Sequence, residues 1–303
     1  MKSFTLDCWN VDMNTVFFLF QSLRPIQWIK NGFILIPLVF SQRVFYYQSL
    51  LQALATVAVF CLLAGAIYLI NDLFDLESDR RHPVKKNRPL AAGLISPRLA
   101  KATATVLLFL SLFWSAYLES KLVLVLVIYI INQVLYNYHL KEIVILDVFS
   151  ISAGFFLRVV AGGVAIDVDI SHWLIICTIL ISMFLALAKR RHELLLLSQT
   201  EAVNHRKILL EYTPYLLDQM IGIITAGTLL SYLLYCVSPI TIEKFGTDNL
   251  IYTFPFVLYG IFRYLYLIHK KKKGGAPERI LISDLYLLAA VILWGLSCIL
   301  IIY

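Results

Sequence analysis

The sequence predicts an all-α protein, a polytopic membrane bundle of about nine transmembrane helices. Three observations lead there. Hydrophobic residues fill 60% of the 303 positions and charged residues only 15%, with a mean hydropathy of +0.80, too apolar for an ordinary water-soluble chain. Apolar stretches of roughly 20 residues, the length that crosses a hydrocarbon core about 30 Å thick, recur throughout. Basic residues gather on alternate connections between those stretches, the signature of a multi-pass topology.

Taken in order, residues 1–22 read as an interfacial segment: FFLF at 17–20 is short, and no small-residue cleavage site precedes Arg24. Spans are expected at 27–46, 51–71, 99–118, 122–138, 148–166, 173–189, 214–237, 250–268 and 282–302. With the N-terminus inside, the outward loops near 40–50, 119–121, 167–172 and 238–249 carry only Arg43, Lys121 and Lys244. The opposite loops hold Arg80, Arg81, Lys85, Lys86, Arg88, Arg98 and Lys101, then Lys189, Arg190, Arg191, Arg206 and Lys207, then the run Lys270 to Lys273 with Arg279. This alternation predicts a cytoplasmic N-terminus and an external C-terminus in a cell inner membrane. The net charge of +7 therefore reflects topology and anionic partners, including membrane lipids, and not nucleic acid. One domain, 1–303, is the expectation. Cys8, Cys61, Cys177, Cys236 and Cys298 lack CxxC spacing, and the six histidines lack ligand spacing, so neither a zinc site nor a disulfide framework is indicated.

The chemistry concentrates where the second span ends. Asn71, Asp75 and Asp79 recur every four residues, which on a continuing helix forms a stripe, with Asp72 beside it. Carboxylates so crowded repel one another unless cations neutralise them, and an all-oxygen ligand set suits a hard ion such as Mg2+. A solvated helix end answering the basic loop is the competing reading. Arg158 follows Asp147 by eleven residues, about three turns, so the two share a face roughly 16 Å apart. An arginine at that depth needs either a structural partner on another helix or a polar cavity. Tyr136, Lys141 and Asp147 flank the short turn between the fourth and fifth spans, and Lys141 is placed to meet a phosphate.

These residues carry a family resemblance. N71-D72-x-x-D75-x-x-x-D79, followed by R88-P89 and G93, is similar to the first Asp-rich motif of the UbiA superfamily of intramembrane prenyltransferases. L23-R24-P25-x-Q27-W28-x-K30-N31, D79-R80-x-H82-P83-x-K85-x-x-R88-P89, L157-R158-x-x-A161-G162-G163 and K189-R190-x-x-E193-L194 together resemble its decaprenyl-phosphate phosphoribosyltransferase branch. The resemblance implies a cytoplasm-facing site in which Asn71, Asp75 and Asp79 bind Mg2+, and Asp72, Asp75 and Asp79 are catalytic. It further implies that Lys30, Lys85, Arg88, Tyr136, Lys141, Asp147, Arg158, Lys189, Arg190 and Glu193 bind substrate, namely 5-phosphoribose 1-diphosphate and a polyprenyl phosphate. Family members that prenylate aromatic rings carry a second Asp-rich motif where this chain reads LALAKRRHELLLL. Lys189, Arg190 and Arg191 are cations in that place, read here either as phosphate ligands or as determinants of topology. Two other functions stay open on the residues: prenyl transfer to an aromatic acceptor, and a non-catalytic lipid-binding or transport role.

Overall fold

The computed structural model describes residues 13–197, 207–271 and 274–303. The first twelve residues of the expected interfacial segment, Cys8 among them, lie outside these, as do His205, Arg206, Lys272 and Lys273. Every regular element among the described residues is helical. The α-helices are α1 Met13–Ser22, α2 Ile36–Phe40, α3 Tyr47–Phe74, α4 Leu76–Arg81, α5 Pro97–Leu118, α6 Ser120–Tyr138, α7 Leu146–Ala165, α8 His172–Leu197, α9 Pro214–Val237, α10 Pro239–Phe245, α11 Phe254–His269, α12 Pro277–Ser283 and α13 Leu285–Ile302. Among the described residues eight segments are long and apolar enough to cross a membrane: α3, α5, α6, α7, α8, α9, Asn249–His269 and α13.

The expected first span at 27–46 differs from its prediction. Residues Pro25–Leu35 wind as a 3-10 helix, α2 follows, and helical structure stops at Phe40. Hydropathy does not register the winding, yet the winding sets the length. Eleven residues rising about 2.0 Å each and five rising about 1.5 Å extend about 30 Å, a length comparable to a bilayer core from fewer residues than an α-helix needs. Its two ends meet different parts of the fold. Lys30 faces Glu278 on α12, whereas just beyond α2 Gln42 donates to the carbonyl of Ile302 (2.9 Å) and Arg43 to that of Ile166 (2.7 Å).

The chain divides into two compact units, Met1–Ile29 with Ala58–Tyr117, and Lys30–Val57 with Leu118–Tyr303. In the first, Leu69, Leu90, Ile95, Ala100 and Ala104 are buried together, with Phe18, Leu19 and Leu23 packed on them. Burying Leu90 and Ile95 pins the connection between α4 and α5 and thereby carries Arg88 to the acidic end of α3. In the second unit α6, α7, α8 and α9 pack in chain order, and α11 packs on α13. Helix starts there follow capping rules: Thr213 accepts from the N–H of Leu216 with Pro214 in the first turn, and Asp284 accepts from the N–H of Leu287. Gly162 is required by a close approach, since a Cβ there would lie 2.0 Å from the carbonyl oxygen of Ile34. Outward faces are apolar, with Val106, Phe109 and Phe113 on α5 and Ile223 and Leu230 on α9 exposed, as a lipid solvent allows.

Candidate active site

In the first unit the helical stagger survives the end of α3. The N–H of Asp75 donates to Asn71 (2.9 Å) and that of Asp79 to Asp75 (2.8 Å), so the predicted four-residue register holds through α4. The carboxylates brought to one point are nevertheless Asp72 and Asp79, seven residues or two turns apart. Both are buried, at 3% and 1% exposure. Arg88 Nη1 donates to Asp79 Oδ2 (2.5 Å) and Asp72 Oδ1 (3.1 Å), and Arg24 Nη2 donates to Asp72 Oδ1 (2.5 Å). Arg24 also lies over the ring of Tyr68, 4.8 Å from its centroid. Lys85 Nζ stands 3.9 Å from Asp79 Oδ1. Asn71 and Asp75 are half-buried on the same register, and Asp75 makes none of these ion pairs.

Among the described residues no three acidic, histidine or cysteine side chains converge as a cage for a cation. Magnesium rarely wants one: it takes one or two carboxylates and fills its octahedron with water and substrate phosphate. The donors here fit that habit. Asp79 Oδ1 is a buried oxygen that accepts no hydrogen bond among the described residues, and all four side chains of the stripe offer oxygen.

Two polar clusters of the second unit hold the remaining expected site residues. Arg190 is 0% exposed. Its Nε donates to Asp147 Oδ2 (2.5 Å), its Nη2 to Tyr136 Oη (2.9 Å) and its Nη1 to Glu193. Tyr212 Oη donates to Asp147 Oδ1 (2.9 Å) and accepts from the N–H of Ile145 (2.7 Å), a β-branched residue held at φ 71°. That backbone is strained, and the tyrosine fastens it. Burial pushes the Tyr212 phenol up to about 12, so it remains a donor at any physiological pH. Arg190, Asp147, Glu193 and Tyr136, which the sequence offers to substrate, here satisfy one another, as a buried guanidinium demands its full set of acceptors. Lys189, with its side chain 40% exposed, stays outward and 3.9 Å from Glu193 Oε1. Arg191 turns away to Asp218. Lys141 lies in the 3-10 turn Leu140–Glu142.

The other cluster centres on Arg158, which is buried with neutral partners. Its Nε donates to Asn31 Oδ1, its Nη1 to the carbonyl of Gly154 and its Nη2 to Tyr129 Oη, each at 2.8 Å. The rings of Tyr129 and Phe155 lie 4.9 and 5.6 Å from its Cζ. Lys30, 3.6 Å from Glu278 Oε2, feels the charges of both Arg158 and Lys189. Sequence reasoning missed Arg24, Tyr212 and Glu278 as members of these clusters. Arg24 stood in a quoted motif, but Glu278 follows a basic run read only as a topology signal.

The model of the UbiA prenyltransferase family matches residues 34–290. The decaprenyl-phosphate phosphoribosyltransferase of Corynebacterium glutamicum is 33% identical over 291 residues, covering 93% of this chain and 86% of that protein. The protein of the same name in Mycolicibacterium smegmatis is 41% identical over 204 residues, 66% of this chain and 64% of the relative. A UbiA homologue from Archaeoglobus fulgidus, solved with GPP and Mg2+, has the same fold, with a TM-score of 0.70 over 93% of this chain and 99% of that one at 18% identity.

Proposed function

The chain belongs to the UbiA prenyltransferase family, and from that premise we propose that it moves 5-phosphoribose from 5-phosphoribose 1-diphosphate to a polyprenyl phosphate, releasing pyrophosphate. The activity named for both relatives supports this reading. The observation in the fold that carries it is Arg158, a buried cation whose hydrogen bonds among the described residues go to neutral partners, in the same unit as Lys30 and Lys189. The donor presents a diphosphate and a 5-phosphate, and the acceptor a third phosphate. Aromatic prenyl transfer would present a single diphosphate and has less use for so many cations.

In the reaction the bond between C1 of the ribose and the diphosphate oxygen breaks, and a bond forms between C1 and an oxygen of the lipid phosphate. Asn71, Asp72, Asp75 and Asp79 would hold Mg2+, which supplies neutralisation of the charge growing on the departing pyrophosphate. Arg24, Lys85 and Arg88, already paired with those carboxylates, are poised to exchange a carboxylate oxygen for a phosphate oxygen. In the second unit Lys30, Arg158 and Lys189 would offer phosphate charge-assisted hydrogen bonds. The acceptor phosphate is anionic near neutral pH, so its attack needs no strong general base. The protein is an integral multi-pass membrane protein, and the basic loops support a reading in which this chemistry faces the cytoplasm across an inner membrane.

The deciding experiment gives purified protein labelled 5-phosphoribose 1-diphosphate and a short polyprenyl phosphate, with Mg2+ present or chelated. Metal-dependent transfer of label into a lipid is the expected result. Prenylation of a hydroxybenzoate from a prenyl diphosphate instead would replace this reading, and loss of neither substrate would point to a transporter.

A further inference from the structure

Arg88 is shared by the two buried carboxylates of the first unit. Its Nη1 donates to Asp79 Oδ2 (2.5 Å) and to Asp72 Oδ1 (3.1 Å), so one nitrogen lies between oxygens of both. That shared face is the one a divalent ion drawing on both carboxylates has to use. Neither carboxylate depends on Arg88 alone. Asp72 Oδ1 also accepts from Arg24 (2.5 Å), and Lys85 Nζ stands 3.9 Å from Asp79 Oδ1. When the Arg88 side chain leaves, each carboxylate therefore keeps a cation beside it. Asp79 Oδ1 is buried and accepts no hydrogen bond among the described residues, so this carboxylate has capacity left for a metal ion.

The side chain of Arg88 is free to move where its backbone is not. Its N–H donates to the carbonyl of Lys85 (2.9 Å), its own carbonyl accepts from the N–H of Ala92 (2.8 Å), and Leu90 anchors the same loop at 1% exposure. The side chain is 29% exposed, and its hydrogen bonds among the described residues all leave from Nη1. The edge formed by Nε and Nη2 is thus open to a planar, two-point contact with a phosphate group.

We propose that Arg88 is a gate on the metal seat. Its guanidinium takes the face shared by Asp72 and Asp79 as a resident cation, and gives it up when a phosphate engages the Nε and Nη2 edge and draws the side chain away. Asp72 and Asp79 then accept a divalent ion poorly by itself, because the ion has to break a charge-assisted bridge, and accept it readily with a phosphate that compensates Arg88. The inference rests on the proposed function for what brings the phosphate, though not for the competition at the two carboxylates.

Its test titrates Mn2+ alone, a hard ion that favours the same oxygen ligands, into detergent-purified protein and reads bound against free ion by EPR, with turnover measured in parallel. Arg88→Gln is expected to tighten Mn2+ binding by roughly tenfold. Arg24→Gln and Lys85→Gln remove the same charge from the same carboxylates but not from their shared face, and are expected to tighten it by no more than about threefold, as partly exposed charges do. Inorganic phosphate, at fixed free Mn2+, raises the Mn2+ affinity of the wild type by a factor within the roughly 5- to 150-fold range of coupled sites, and that of Arg88→Gln several times less. Equal tightening in the three folded variants reduces the effect to charge acting through space and overturns the proposal. Unchanged or weaker binding in folded Arg88→Gln also overturns it, as does failure of all four proteins to bind Mn2+. Should Arg88→Gln not extract folded, Arg88→Lys takes its place, because an ammonium keeps the charge without the two-point edge; a phosphate enhancement equal to that of the wild type is then the overturning result. If the wild type does not use the sugar donor while Arg88→Gln still gains Mn2+, the phosphoribosyl reading falls and the gate stands; transfer to the lipid with no such gain does the reverse.

Discussion

Arg190 sits wholly out of solvent between Asp147, Glu193 and Tyr136, while Lys189, one residue earlier, is partly exposed. Arg190→Ala strands the charge of Asp147 and is expected to cost about 3–5 kcal/mol of stability, read as a fall in Tm, with no selective change in KM. Lysine would not replace it, because one ammonium does not span acceptors arranged for a planar fork. Lys189→Ala leaves Tm alone and raises KM for the sugar donor several-fold, about 1 kcal/mol for a solvent-screened cation. Asp75 and Asp79 separate in the same way. Asp75→Asn breaks no ion pair, so it is expected to leave Tm unchanged and to lower kcat at least tenfold, about 1.4 kcal/mol of transition-state stabilisation. Asp79→Asn loses both, since Arg88 and Lys85 lean on that carboxylate. Full activity in Asp75→Asn, or in wild type with excess chelator, removes the metal role from this stripe.

Helix α7 and the 3-10 segment press together at Gly162, and the obstruction facing any added carbon is backbone. Gly162→Ala is therefore expected to destabilise by about 1–3 kcal/mol or more, measured as a shift in thermal unfolding in detergent. Gly222→Ala on α9 meets nothing within 4 Å and serves as the neutral control, with a helix-propensity gain of up to about 1 kcal/mol. How much of these elements the sequence revealed depends on what their residues register. Residues 214–237 were legible to their ends, because Thr213-Pro214 is a start signal and Ser238-Pro239 a stop. The expected end of 173–189 fell short of α8, which runs to Leu197, because polarity rises at Lys189 while helix propensity does not. The 3-10 winding at Pro25–Leu35 was not legible, since apolar runs look alike at either rise. The Asp-rich stripe was visible through its spacing. The role of Arg190 was not, since a basic residue at a span end reads identically whether it faces ligand or partner.

Across the whole chain, the loop after α2 and the end of α13 share one end of their unit, where the N–H of Val44 donates to Tyr303 Oη at 2.8 Å. If that end is external, an accessibility tag within residues 85–90 labels from the cytoplasm and one after Tyr303 labels from outside. Both tags on one side would reject an odd number of crossings.

The unusual winding of Pro25–Phe40 has a mechanical meaning. Eleven residues that rewind from 3-10 to α geometry shorten by about 5 Å, which is close to the spread in thickness among natural bilayers. A continuous α-helical span lacks this option and answers a thinner membrane by tilting, kinking or thickening the bilayer around it. Lys30 rides on this segment and Glu278 does not, so rewinding would tie lipid acyl length to the spacing of a charged pair. In vesicles of graded chain length, turnover is expected to peak where the hydrocarbon core is about 30 Å thick and to fall on both sides. A flat profile would show that the segment is stiff.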